Sequence, residues 1–247
     1  MSDTNAYDDP RIAALYDLES PPGADSEFYV TLASDLAATR IVDIGCGTGA
    51  LACELAHRSC AVVGVDPADA MLAVARSRPE GSQVRWVHGD ASRLSAHGAD
   101  LVVMTGHAAQ EIIADEDWEM TLAAAHRALR IGGHLAFESR NPQLRPWEAW
   151  TPDRTLSRLE HPTLGVVDVW YRLLGVEGDL VRFEAHNRFA SSGEDVAVVG
   201  ELRFQSGTAI ERSLAAAGFE VDDVFGDWQS GPVALDSPEL TFVARTR

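Results

Sequence analysis

The chain contains no lysine: all 20 of its basic residues are arginine. That excludes Schiff-base chemistry, a lysine general base and a phosphate-loop lysine. Positive charge is scarce overall, since 38 acidic residues leave a formal net charge of −18 over 247 residues. So acidic a chain repels a phosphate backbone, so nucleic acid is not an expected partner and a small molecule is. Cysteine is limited to Cys46, Cys53 and Cys60, an odd number with no close pair, which fits neither a disulfide framework nor a Cys-x-x-Cys zinc site. No metal is expected. No apolar run reaches membrane-spanning length, and the polar, acidic residues 1–10 lack the basic start and apolar stretch of a secretory signal. The expectation is a reduced, cytoplasmic protein without a membrane partner.

What is present begins with alternation. Residues 41–44, 61–65, 84–87, 101–104 and 134–137 are short, near-continuous apolar runs, as strands buried on both faces should be. Between them, residues 49–57, 68–76 and 118–129 carry apolar positions at helical spacing, the last stopping before Gly132-Gly133. This is the pattern of βαβ units around a parallel sheet. Beyond Glu138 it changes. Residues 139–160 are rich in proline, arginine and tryptophan, and residues 165–204 read as strands joined by turns at Glu177-Gly178-Asp179 and Ser191-Ser192-Gly193. A three-strand antiparallel meander, inserted over residues 139–206 as a substrate cap or dimerisation element, is expected. A helix at 207–217 and strands at 219–225 and 240–244 then complete one domain of residues 1–247. The expected fold is α/β: a doubly wound, seven-stranded, mostly parallel sheet with its last strand antiparallel.

The chemistry starts at Gly45-Cys46-Gly47-Thr48-Gly49, where a strand turns into a helix. Glycine there allows a tight turn and close approach of a ligand to the backbone, and the helix N-terminus favours negative charge. The spacing is G-x-G-x-G, not the G-x-G-x-x-G of dinucleotide-binding dehydrogenases. Asp66 ends the next strand, where a carboxylate commonly binds ribose hydroxyls; with Pro67 it also suits an acidic cap for the following helix. Met71 reads as helix core and Asp90 as a turn residue when each is taken alone.

Together, Val42 to Gly49, Gly64-Val65-Asp66-Pro67 with Ala70-Met71-Leu72, and Gly89-Asp90 resemble the signature of class I S-adenosylmethionine-dependent methyltransferases of the small-molecule type, over residues 40–138. The resemblance implies S-adenosylmethionine as cofactor, with S-adenosylhomocysteine as product. Asp43, Gly45, Cys46, Gly47 and Gly49 would surround its amino-acid end, Asp66 and Pro67 the ribose, and Met71, Asp90 and Ala91 the adenine. Thr105 would lie near the methyl group, and Tyr16, on an N-terminal helix that closes over the cofactor in such enzymes, near the sulfonium or carboxylate. The implied reaction is in-line methyl transfer to an oxygen, nitrogen or carbon nucleophile. A nucleotide-dependent oxidoreductase and a non-catalytic cofactor-binding module are the alternatives.

The acceptor side is less defined. His107, in the loop Thr105 to Gln110 after the fourth strand, is the best candidate base because imidazole titrates near neutrality; a purely structural contact to the loop backbone is the other reading. The Asn/Asp-Pro-Pro-Tyr/Phe pattern of exocyclic or amide nitrogen methylation is missing there. Arg140 could clamp a substrate carboxylate or pair with an acidic side chain. Trp147 and Trp150 line a substrate pocket or pack the insertion, and Tyr7 faces the acceptor from the N-terminus.

Overall fold

The computed structural model describes residues 6–94 and 98–247. Seven strands form the main sheet: β1 (Arg40–Ile44), β2 (Ala61–Asp66), β3 (Arg85–His88), β4 (Ala99–Met104), β5 (Leu129–Arg140), β10 (Phe219–Phe225) and β11 (Glu239–Thr246). Their order is β10-β11-β5-β4-β1-β2-β3. β1, β2, β3, β4 and β5 pair in parallel, while β11 runs antiparallel to both β5 and β10. The expected doubly wound sheet is present.

Both faces are covered, which is why the central strands are largely apolar. Val42, Val102, Met104, Leu135 and Phe137 point into one core layer with α5 (Asp115–Ala128) and α7 (Gly207–Ala216). Ile41, Leu101, Val103 and Ala136 point the other way, against α2 (Ala24–Asp35) and α3 (Ala50–His57). Alternation along each strand thus feeds two cores. The strand order reverses between β1 and β4, so a crevice opens at the carboxyl ends of these two strands. α1 (Pro10–Glu19) packs through Ala13 on Ala68 and Met71 of the β2–α4 junction, α4 being Asp69–Ser77.

Several boundaries differ from the sequence expectation. The helix expected at 118–129 is α5, which ends at Ala128, and Gly132-Gly133 lies inside β5 instead of stopping the helix. The β5 pairing shifts register between Ala99 and Leu101, which absorbs the early start of the strand. β5 extends to Arg140, so the insertion starts at 141. It is a four-stranded sheet, not a three-stranded meander: β6 (Ser157–His161), β7 (Gly165–Glu177), β8 (Leu180–Phe189) and β9 (Asp195–Arg203), preceded by the single turn α6 (Pro152–Thr155). One face of this cap is apolar, with Val167, Val169 and Phe189 packed on Leu15 of α1. The other is a ladder in which Asp168 takes both Arg158 and Arg188 and Trp170 stacks on His186. Among the described residues no helix is long and apolar enough to cross a membrane.

Gly49 and Gly47 both have positive φ, 74° and 53°, but differ in surroundings. A Cβ on Gly49 would lie 2.4 Å from Trp86 Cη2 and 2.9 Å from Ala75 Cβ; on Gly47 it would meet nothing within 4 Å. We therefore expect Gly49→Ala to destabilise the fold by about 3 kcal/mol, left-handed strain plus overpacking, and Gly47→Ala by about 1 kcal/mol, as read from urea midpoints.

Candidate functional site

The site is built on the crevice where the sheet order reverses. After β1 the chain turns through the glycine loop, which lies so close to the turn after β4 that a Cβ on Gly45 would stand 2.7 Å from that of Ala108. Asp66, at the end of β2, holds this loop: its Oδ2 accepts from the Gly47 amide and its Oδ1 from the Ala68 amide, each at 2.8 Å. The second bond closes a turn just before α4, whose N-cap is Ala68 and not the expected Asp66, and the first ties two strand ends together. Asp90 likewise accepts from the Ser92 amide at 2.8 Å, beside buried Ala91. Pro67 meets the His88 ring through its carbonyl, and Met71 is core beneath α1, with Tyr7 and Tyr16 at its margin.

Asp43 is different. It is 1 % exposed, and its Oδ1 is buried with no hydrogen-bond donor among the described residues. Burial pushes its carboxyl up to about 7, with Asp66 and Glu138 adding to the shift. A buried acceptor of this kind is costly unless something outside the chain supplies a donor. Cys46 is buried next to it, and its thiol is pushed up by that burial, so it has no reactive thiolate character.

The turn after β4 carries the second half of the site. His107 has φ 63°, a left-handed conformation unusual for its type, and follows Gly106 at 65°. Glu138, fully inside the protein, holds the strained turn by accepting from the His107 amide at 2.7 Å, while its other oxygen takes the Tyr29 hydroxyl. The His107 ring is oriented by Glu239 at the start of β11, with Nε2 3.1 Å from both carboxylate oxygens. Half-buried Thr105 begins this turn and accepts from the Ala108 amide. Among the described residues Arg140 clamps no carboxylate; its Nη1 donates to Gln110 Oε1 at 3.1 Å, and Gln110 in turn donates to the Arg203 carbonyl.

Tyr7, expected on the substrate side, and Tyr16, expected near the cofactor, meet edge to face with ring centres 5.9 Å apart, and a Cβ on Gly106 would come within 3.2 Å of the Tyr16 hydroxyl. Burial, then Glu111, pushes the Tyr16 hydroxyl up to about 12, so it remains a donor. Trp147 and Trp150 pack the insertion. Trp147 sits on Phe204 at 4.6 Å and Trp150 on Phe183 at 5.1 Å. The surface depression that Trp147 lines, with Pro142, Asp179 and Phe204, includes no residue of the glycine loop or of the β4 turn.

Four side chains that sequence reasoning missed, Asp17, Arg78, Glu19 and Tyr171, fasten α1 over the crevice. Asp17 accepts from Thr48 Oγ1 at 2.6 Å and from Arg78 Nη2 at 2.5 Å, and Arg78 Nε donates to the Thr48 carbonyl. Two residues on, Glu19 takes the Tyr171 hydroxyl of β7. The partners of Asp17 lie 31 and 61 residues away, so no local pattern announces them.

A sheet ordered this way, with ligand-ready loops after β1 and β4, defines a Rossmann-like class I fold. Residues 41–133 match a family described as a methyltransferase domain. It is 38% identical over 135 residues to a demethylmenaquinone methyltransferase of Thermus thermophilus, covering 50% of this chain and 60% of that protein. The matched segment spans about half the length of the curated relatives. Along the whole chain, an S-adenosylmethionine-dependent methyltransferase from Clostridium acetobutylicum superposes with a TM-score of 0.79 at 18% identity, covering 98% and 99% of the two chains. An S-adenosylmethionine-bound amino pentose methyltransferase from Micromonospora echinaspora gives 0.69 at 25% identity with full coverage of both.

Two outcomes follow from the geometry. Asp43 holds its proton in the folded state up to about pH 7 but would release it near 3.8 when unfolded. Between those values the native state binds more protons, so stability falls as pH rises, and Asp43→Asn should flatten that part of the ligand-free pH–Tm profile. Removing the charge-assisted bonds of Asp17 with Asp17→Ala should raise amide exchange in α1 about tenfold while leaving exchange in β1 and β4 unchanged.

Proposed function

We propose that the protein is an S-adenosylmethionine-dependent methyltransferase acting on a small molecule. The observation that carries the reading is the orphaned Oδ1 of Asp43 at the foot of an open glycine loop. An ammonium group supplies the missing donor and the opposite charge, and the amino-acid end of S-adenosylmethionine carries one. The surrounding carboxylates of Asp66 and Glu138 suit a ligand of positive charge as well. Asp43, Gly45 and Gly47 would hold that end, Asp66 and Pro67 the ribose, and Met71, Ala91 and Asp90 the adenine.

When bound, the cofactor supplies a methyl group already activated on a sulfonium sulfur. The chain then has to position, shield and deprotonate. α1, clasped by Asp17 and carrying Tyr16 above Gly106, covers the crevice and keeps water out. Holding two reactants at attack distance contributes up to about 7–11 kcal/mol in favourable intramolecular systems. His107, its ring fixed by Glu239, is placed to remove a proton from the acceptor through its other nitrogen. The cap from 141 to 206 serves as acceptor cover, and we place the protein in the cytoplasm on its three free cysteines. The oxidoreductase alternative has no support in the glycine spacing, and relatives named for methylating ubiquinone precursors and an amino pentose favour small acceptors.

Calorimetry tests the reading. S-Adenosylmethionine and S-adenosylhomocysteine should bind while NAD does not, and Asp43→Asn should weaken both at least tenfold, about 1.4 kcal/mol. Binding of NAD in their place would overturn the proposal. In turnover assays with an identified acceptor, His107→Ala should lower kcat more than cofactor affinity.

A further inference from the structure

Arg140 ends β5 half-buried and without a carboxylate partner among the described residues. Arg40, Arg93, Arg154 and Arg212 make no ion pair among them either, but all four are exposed to bulk water. No shortage of acids explains the difference, since the register of the ladder puts Glu239 of β11 directly opposite Arg140. Opposite charges at such positions attract and commonly pair. Glu239 instead turns to His107 Nε2 at 3.1 Å, and the guanidinium is left to a neutral amide.

That amide is Gln110, which is 1 % exposed. Its Oε1 accepts from the Arg140 backbone amide at 3.2 Å and from Nη1 at 3.1 Å, while its Nε2 donates to the Arg203 carbonyl at 3.1 Å. With both ends engaged, the side chain of Gln110 fixes where the guanidinium points. Its backbone amide donates to the His107 carbonyl at 2.8 Å, so the guanidinium and the imidazole are tied to one turn. The Nη1 contact leaves the Nε–Nη2 edge of Arg140 without an acceptor among the described residues. Two parallel N–H groups on that edge match the two oxygens of a carboxylate.

We propose that this edge receives a carboxylate of the methyl acceptor, with Gln110 as the residue that positions it. The inference rests on the methyltransferase reading and names its substrate class, a small molecule that carries a carboxylate as well as the atom to be methylated. The sequence left Arg140 either a substrate carboxylate or an acidic side chain, and no acidic side chain among the described residues takes the place. A half-buried guanidinium held by a neutral group gains from an added anion, and being already aimed it loses little further freedom on binding. A phosphate dianion suits the edge less well, because Glu239 across the ladder opposes the second charge. Donor and acceptor are then sorted by sign. Asp43, Asp66 and Glu138 face the cationic cofactor, and Arg140 faces the anionic acceptor.

Acetate, neutral acetamide and methyl phosphate test the proposal by NMR titration of the arginine Nε–H resonances, with and without S-adenosylhomocysteine. Acetate is expected to shift the Arg140 resonance saturably and to bind about tenfold tighter than either other probe, while the resonances of exposed Arg93 and Arg212 stay in place. Arg140→Gln should erase the preference with little change in melting temperature, because no ion pair is lost. Gln110→Glu keeps Arg140 but sets a carboxylate against it, and should weaken acetate by about tenfold, an effect that a merely space-filling residue would not have. Equal binding of the probes, no saturable shift, equal shifts at Arg93 and Arg212, a preference for methyl phosphate, or acetate binding that survives either substitution would overturn the proposal. Failure of S-adenosylhomocysteine to bind would count against the methyltransferase reading alone, since the charge preference is also read without it.

Discussion

Parallel strands bring their carboxyl ends side by side, and in this protein those ends carry acids. Asp43 near the end of β1, Asp66 at the end of β2 and Glu138 near the end of β5 stand at one edge of the sheet, each pushed up by burial and, for Asp43, by the other two. Backbone amides satisfy Asp66, and Tyr29 and His107 satisfy Glu138, but no group among the described residues satisfies Asp43 Oδ1. The folded state therefore favours a proton there, or a bound cation in place of the proton. Stability, pH and ligand binding are linked through one carboxylate. A ligand of positive charge relieves a cost that the fold carries without it.

The N-terminal helix makes the two halves of the crevice depend on each other. Asp17 fastens α1 to the glycine loop through Thr48 and to the end of α4 through Arg78. Glu19, half a turn on, fastens it to the cap through Tyr171, and Leu15 enters the apolar layer of the cap. Tyr16 lies between these anchors and over Gly106. Opening the crevice requires breaking contacts on both sides, so access for donor and acceptor is governed by one element. Its anchors are partly exposed polar bonds, which open at lower free energy than the buried strands beneath them.

The parts legible in the sequence are those whose signal is local. β1, β2 and β4 are largely apolar because both faces are covered, and the glycine loop with Asp66 and Asp90 forms a signature of short motifs. β6 was not legible, since Leu159 is its one buried residue and charged neighbours hide the strand period. The junction of α5 and β5 was misplaced because helix gives way to strand at Leu129 with no turn between, while Gly132, the apparent stop, serves a left-handed position within the strand. Asp17, Arg78 and Tyr171 act across long separations and between elements.

The direction of β11 connects these halves. A parallel strand at that place would bring its carboxyl end to the crevice; running antiparallel, β11 brings its first residues there instead. Glu239, opposite Arg140 in the ladder, thereby reaches the His107 ring, while Ser139 faces Leu240 and Glu138 faces Thr241. Side chains alternate along a strand, so a slip of one residue between β5 and β11 would turn Glu239 to the other face and release the imidazole. Phe137 stacked on Phe242, both fully buried, holds the pairing in register from within the core. The orientation of a polar group at the mouth of the crevice is thus set by apolar packing about three residues down the same ladder, where a register error would be most costly.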